Sequence, residues 1–537
     1  MGCGNSQVRD IERKQISDEK TAQTQANSQK GNKKNSPIPK EEQQILIQKE
    51  MYIKEINSKD IREDYFFERH LAQGEFGDIR IVKHKKTGQS RALKIVAKNK
   101  LGVKEKQVLN EIKILSKLDH PNIIKLYEYY QDRYAYYLIF ELLLGGQLIE
   151  YIQETSYLPE TQSASIVQQL LSAINYCHQQ KITHLNITPQ NILLNIDEET
   201  NQVSIKQYVI IVQDLIKKQP IQALKIQSFE ENDTFSEQIN NITYKSPEEI
   251  NKSYNYLADV WSIGVIWFLI LMGVPPFYGI NRKKTIEAIQ NIQMRYSCGF
   301  SIKHDSQIQE IFKKIFVSQD QRMKCQDILD HQYFKDIFQE FDQNDEKYIQ
   351  NLQKQKELRQ KDLIQMMSYH SHSKFYQAVV NFIGFYLVGD DEMQKLTEDF
   401  QRIDVNKDGQ LSREEIRSGF EGFFIEQITD IDQFLDELFQ KIDCNKNGYI
   451  NYNEFISVAM DKINLQQDTK LKQAFSYFDQ DQNGFITKEE LFQSLQSQFN
   501  DDKNIEKMWQ TILEKGDKNK DGKLSYQEFI DMLKQLS

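Results

Sequence analysis

Four twelve-residue stretches in the last third of the chain constrain it more than any other feature. They begin at Asp404, Asp443, Asp479 and Asp517, roughly 37 residues apart, and each follows the pattern D-x-[DN]-x-[DN]-G-x5-E. In such a loop a calcium ion needs oxygen donors at positions 1, 3 and 5, a backbone carbonyl at 7 and a two-oxygen carboxylate at 12, with glycine at 6 for the sharp turn. The first supplies Asp404, Asn406, Asp408 and Glu415, with the carbonyl of Gln410 at position 7 and Gly409 at the turn. The second supplies Asp443, Asn445, Asn447 and Glu454, with Tyr449 and Gly448. The third has Asp479, Asp481, Asn483 and Glu490, with Phe485 and Gly484, and the fourth Asp517, Asn519, Asp521 and Glu528, with Lys523 and Gly522. Position 8 is Leu411, Ile450, Ile486 or Leu524, where a short strand joins paired loops. One chance match is conceivable; four at regular spacing are not. The expectation is four calcium sites, the second weakest because it carries two carboxylates where the others carry three.

Charge agrees. Residues 390–537 hold 31 acidic against 18 basic residues, while the whole chain sums to −10, so the remainder is near +3. An acidic excess confined to one end fits cation binding and excludes a nucleic-acid surface. Five cysteines without C-x-x-C spacing indicate reduced thiols and no zinc site. A chain of 537 residues holds two to four domains. Its longest apolar run, Val260 to Val274, falls short of the roughly 18–20 residues of a membrane span and reads as a buried core helix. The first residues are polar, so no secretory signal is expected.

The chain opens Met1-Gly2-Cys3-Gly4-Asn5-Ser6, which fits the acylation signal M-G-x-x-x-[ST] with a cysteine beside the glycine. Myristate on Gly2 alone binds membranes at roughly 10⁴ M⁻¹, and palmitate on Cys3 adds the second anchor. This places the protein on the cytoplasmic face of a membrane, with a cytoplasmic pool. Residues 7–60 are rich in Gln, Lys, Asn and Ser and read as a disordered tether.

From Tyr65 the pattern turns to strands. Leu71-Ala72-Gln73-Gly74-Glu75-Phe76-Gly77-Asp78-Ile79 is a glycine turn whose backbone N–H groups can approach phosphates. Ala92-Leu93-Lys94 follows on a strand, then Glu111 on a helix, then the buried strand Tyr137-Leu-Ile-Phe-Glu-Leu with Phe140 and Glu141. Further on stand His184-Leu185-Asn186-Ile187-Thr188-Pro189-Gln190-Asn191, Leu193, Gln207-Tyr208-Val209, Ser246-Pro247-Glu248 and Asp259-Val260-Trp261-Ser262-Ile263-Gly264.

In this order these motifs resemble a protein kinase domain, and residues 65–537 together resemble a calcium-dependent protein kinase of the plant and protist type. The resemblance implies a multidomain chain: an α+β bilobal protein-kinase-like fold followed by an all-α calmodulin-like domain with four EF-hands. The expected bounds are a tether at 1–64, a kinase-like domain at 65–334, a helical autoinhibitory-type junction at 335–390 and the EF-hand domain at 391–537. It implies an ATP site made by Gly74, Gly77, Ile79, Ala92, Lys94, Phe140, Glu141 and Leu193, with Glu111 paired to Lys94. It also implies that Arg322 pairs with Glu248, and that the junction stripe Phe375, Val379, Phe382 and Phe385 is an intramolecular partner of the EF-hands.

The departures fall on the chemistry. The family's catalytic base is an Asp where this chain has Asn186, and an amide accepts no proton at neutral pH. Gln207 replaces the Asp that holds Mg²⁺, leaving Asn191 as the remaining metal ligand; Thr188 replaces the phosphate-steadying Lys, and Leu185 an Arg. The leading expectation is therefore a pseudokinase, a membrane-anchored calcium switch. The alternatives are an active calcium-dependent Ser/Thr kinase with an atypical catalytic loop, and a calcium buffer.

Overall fold

The computed structural model describes residues 53–56, 60–74, 77–101, 105–155, 157–194, 208–210, 242–294, 305–343, 374–421, 431–443, 445–460, 468–495 and 502–536. Gly2, Cys3 and Gln207 lie outside the described residues, as does the side chain of Phe375. Six strands open the fold: β1 (Lys54–Ile56), β2 (Tyr65–Gly74), β3 (Gly77–His84), β4 (Ser90–Ala97), β5 (Leu126–Gln131) and β6 (Ala135–Phe140). They form one sheet in the order β1-β5-β6-β4-β3-β2. Along β4 burial alternates, so Arg91 and Leu93 are buried on one face while Ala92 and Lys94 stand half-buried on the other.

Strand β1 corrects one expectation. Residues 54–56 belong to the stretch read as tether, yet they pair in parallel with β5, Lys54 opposite Glu128 and Ile56 opposite Tyr130. Ile53 is buried beside them. Three residues are too short for a periodic signal, and the open edge of β5 selects them.

Helix α1 (Glu105–Leu115) accompanies the sheet. The lower lobe is built on α2 (Glu160–Gln179) and α3 (Leu257–Met272), with a small hairpin of β7 (Ile192–Leu194) and β8 (Tyr208–Ile210). Every residue of α3 is buried. This is why its sequence is apolar all round: it is the centre of the lobe, with Trp261 stacked on Phe277 at 5.0 Å and Trp267 edge-on to Phe312 at 5.4 Å. No helix among the described residues is long and apolar enough to cross a membrane. Arg322 pairs with Glu248 in the interior and also donates to the carbonyls of Ile315, Leu257 and Val317.

Beyond it come α4 (Lys374–Tyr386) and eight described helices: α5 (Asp390–Ile403), α6 (Arg413–Glu421), α7 (Ile431–Ile442), α8 (Tyr452–Ala459), α9 (Asp468–Phe478), α10 (Lys488–Leu495), α11 (Asp502–Gly516) and α12 (Tyr526–Leu536). They flank the four acidic loops in pairs. Strand β9 (Gln410–Leu411) pairs with β10 (Ile450–Asn451), and β11 (Phe485–Ile486) with β12 (Leu524–Ser525). Leu411 thus faces Ile450, and Ile486 faces Leu524, joining the position-8 residues as their spacing suggests.

Helix α4 is buried on several sides at once. Phe382 lies 4.2 Å from the Tyr477 ring and 5.3 Å from that of Phe478, while Phe385 and Tyr386 lie 5.4 and 5.6 Å from Tyr127 on β5. Val379, Phe382 and Phe385 are each at most 3% exposed. The first loop pair also rests on the segment Asp119–Asn122. Asn453 N–H donates to Asp119 at 3.0 Å, and the amide of Gln401 donates to Asn122 at 3.4 Å.

Candidate functional site

The catalytic-type loop is held from below by one buried carboxylate. Asp259, on α3, accepts the backbone N–H of His184 at 2.9 Å and that of Leu185 at 2.7 Å, and contacts His178 Nε2 at 2.9 Å. This grip fixes Leu185 at φ 61°, a left-handed conformation that costs a non-glycine residue about 1–2 kcal/mol. Asn186 N–H donates to His184 Nδ1 at 3.2 Å, and the Asn191 amide donates to the Asn186 carbonyl at 2.9 Å. The frame of the loop is complete, and at its tip stands an amide. Thr188 is buried.

Sheet register assembles the nucleotide-facing residues. Gly74 pairs with Gly77 across the glycine turn, Ile79 stands opposite Lys94, and Ala92 opposite Phe140. Leu193 bridges to Gln147, and Gly145 N–H donates to the Leu194 carbonyl at 3.1 Å. A side chain at Gly145 would meet that carbonyl at 2.5 Å, so glycine is required where the two segments cross. The Glu141 carboxylate accepts Lys125 N–H at 2.6 Å. Glu111 is buried on α1, and Lys94 stands half-buried on β4.

The calcium loops are built by their own carboxylates. In each, the position-1 Asp accepts the N–H of the position-6 glycine: Asp404 from Gly409, Asp443 from Gly448, Asp479 from Gly484 and Asp517 from Gly522, at 2.9–3.0 Å. The position-12 Glu accepts from position 9 with one oxygen and position 3 with the other, as Glu415 does from Ser412 at 2.9 Å and Asn406 at 3.1 Å. The glycines sit at φ 77–87°. Lys407, Lys446, Gln482 and Lys520, at position 4, are also left-handed, a feature the spacing motif does not encode. Among the described residues, the carboxylates whose ligand atoms converge within 4.8 Å are Asp479, Asp481 and Glu490. Burial pushes the Asp404 carboxyl up to about 7. Buried acidic oxygens around a glycine turn fit a hard divalent cation, which supplies the positive charge they need.

A protein kinase domain matches residues 65–334, and an EF-hand domain pair matches twice, over 393–460 and 468–534. The chain belongs to the calcium-dependent protein kinase family. It is 29% identical to calcium-dependent protein kinase 4 of Plasmodium berghei (strain Anka) over 541 residues, covering 95% of this chain and 97% of that one. It is 28% identical to calcium-dependent protein kinase 5 of Plasmodium falciparum (isolate 3D7), covering 89% and 79%. To calcium-dependent protein kinase 34 of Arabidopsis thaliana it is 27% identical, covering 89% and 85%. A kinase-like α+β bilobal domain followed by two EF-hand pairs is thus the architecture of this family member.

Sequence reasoning missed the residues that hold these sites together. Asp259 was legible as part of a buried helix, with no local sign that it carries the catalytic-type loop 75 residues upstream. His120 was not singled out either. It is buried, its Nδ1 accepts Asn122 N–H at 3.0 Å, its Nε2 meets Ser172 Oγ at 3.1 Å, and its ring lies against Gly409 of the first calcium loop. Burial pulls its pKa down to about 3, so the imidazole is neutral there.

Proposed function

We propose that this chain is a calcium-responsive switch in which the EF-hand pairs act on the kinase domain through α4. The observation that carries this reading is the double burial of α4, between EF-hand helices α8 and α9 on one side and strand β5 on the other. Opened EF-hand lobes take an amphipathic helix by its apolar stripe, so loop occupancy sets how α4 is held. Hydrogen exchange of residues 374–388 in the full chain tests it. Exchange should slow when calcium replaces EGTA, and equal exchange in both sinks the switch.

The kinase domain itself acts as a binding module on this reading. Asn186 cannot take the hydroxyl proton, and general-base positioning is worth roughly 10²–10⁴-fold. Gln207 is a poor ligand for Mg²⁺, so nucleotide binding should be weak and nearly independent of it. The second reading, calcium-dependent transfer of phosphate from ATP to protein Ser or Thr, is favoured by the relatives, each of which is named a kinase. Calcium-stimulated phosphorylation that disappears in Lys94→Met would establish it. No transfer in the parent, with a trace recovered by Asn186→Asp together with Gln207→Asp, supports the binding module.

The N-terminal motif supports attachment of the switch to a membrane through acyl chains on Gly2 and Cys3. Gly2→Ala should release the protein to the soluble fraction, while Cys3→Ser should leave a weak, reversible membrane fraction. Full retention of Gly2→Ala excludes the anchor.

A further inference from the structure

Two cations of the hairpin between β3 and β4 reach the regulatory module, each at a helix C-terminus. Lys86 Nζ donates to the carbonyls of Ser476 at 2.9 Å and Asp479 at 3.3 Å, at the end of α9. Arg91 Nη2 donates to the carbonyl of Tyr386, the last residue of α4, at 3.0 Å. Between them, the Thr87 carbonyl accepts the Gln473 amide at 2.9 Å.

Local chain geometry keeps the next helical turn from the Ser476 and Tyr386 carbonyls. In a continuing helix Ser476 would accept from Gln480, but Gln480 N–H is turned to Glu490 Oε1 at 2.9 Å, drawn by the position-12 carboxylate of the third calcium loop. Tyr386 would accept from Asp390, but the chain straightens at Gly389, whose φ and ψ are −71° and 158°. The last carbonyls of a helix lack internal partners and carry partial negative charge, so a cation satisfies both needs. Arg91 is only 5% exposed, and its guanidinium lies 4.0 Å over the Tyr127 ring. The Tyr386 hydroxyl donates in turn to the Tyr127 carbonyl at 3.0 Å.

We propose that this hairpin is a two-pronged clasp for the calcium-loaded regulatory module, with Lys86 and Arg91 each capping one helix. It rests on the switch reading and names the residues through which the switch grips the kinase domain. Lys86 engages α9 where Glu490 has gathered the third loop, so its grip depends on that loop being formed. Arg91 grips α4 only when the helix ends at Tyr386. The clasp also lies on the strand of the nucleotide-facing Lys94, three residues from Arg91.

The test uses the full chain and two variants, Lys86→Met and Arg91→Met, each keeping an apolar stem without the charge. Calcium is titrated by calorimetry, with Glu490→Gln identifying the third-loop step. Hydrogen exchange of 374–388 and 468–478 is read at saturating calcium. Because binding free energies are reciprocal, each variant should weaken the third-loop step by about 3- to 10-fold, the range a cation at a helix end supports. Exchange should rise by a similar factor, in 468–478 first for Lys86→Met and in 374–388 first for Arg91→Met. Unchanged affinity and exchange in both variants overturn the clasp. Should Arg91→Met fail to fold, Gln473→Ala, which removes the amide bond to the Thr87 carbonyl, carries the same expectation. If the parent's exchange ignores calcium, the switch reading itself has failed; a parent that responds alongside unresponsive variants overturns the clasp alone.

Discussion

The catalytic-type loop and the calcium loops are both short, and both are shaped by carboxylates that accept backbone N–H groups. They differ in where those carboxylates come from. The loop at 184–191 is held by Asp259, which sits on another helix and takes no part in chemistry at the loop's tip. In each calcium loop the shaping groups are also the ligand carboxylates: Asp479 accepts Gly484 N–H, and Glu490 accepts Thr487 N–H. A frame supplied from outside lets the reacting residue change without collapse, so Asn186 can replace an Asp and leave the loop intact. A frame made of the ligands does not allow this. The loop at 184–191 therefore tolerates a change at its tip that a calcium loop does not.

The largest effect that tests this difference is on stability. Asp259→Ala leaves the N–H groups of His184 and Leu185 without their buried acceptor, and should cost about 3–5 kcal/mol in chemical denaturation. Asn186→Asp should stay within about 0.5 kcal/mol. Similar costs for the two would break the comparison.

Next is Glu490→Gln. Loss of a two-oxygen, charged ligand should weaken calcium binding at the third loop about 100-fold, or about 2.7 kcal/mol. If the carboxylate also builds the loop, amides of 479–490 should exchange faster even in EGTA. Unchanged exchange there would assign Glu490 to the ion alone.

A smaller effect comes from pH. The Asp404 carboxyl is raised from 3.8 to about 7, first by burial. A protonated ligand does not bind calcium, so affinity at the first loop should fall about tenfold between pH 8 and 6, near 1.4 kcal/mol. In calcium-free protein the sign is the reverse. A raised carboxyl contributes stability that is complete below its unfolded value near 4 and is lost as pH rises through about 7. The fourth loop, where hydrogen bonds from Ser525 and neighbouring amides outweigh burial and hold Glu528 below its usual range, should bind calcium equally at both pH values.

The smallest effect separates two calcium loops from each other. Gly448→Ala meets open space and should cost only the left-handed strain, about 1 kcal/mol. Gly409→Ala carries the same strain and also drives its Cβ into His120, so denaturation should show a larger loss, near 2 kcal/mol. Equal losses would mean the first loop is not seated on the kinase domain.

The calcium loops were legible because every ligand and the turn glycine lie within twelve residues, and position 8 even announced which strands pair. The central helix at 257–272 was legible too, since a helix buried all round must be apolar all round. Strand β1 was not, because three residues carry no period and the partner edge lies more than seventy residues away.

Local spacing therefore determined the order of the parts, the calcium-loop carboxylates and the amide at position 186. What only the tertiary structure decided is how the parts are joined. Arg91 meets Tyr386 across 295 residues, and Lys86 meets Asp479 across 393. Both acceptors are backbone carbonyls, which every residue carries and no sequence pattern marks, and they become available only where a folded helix happens to end.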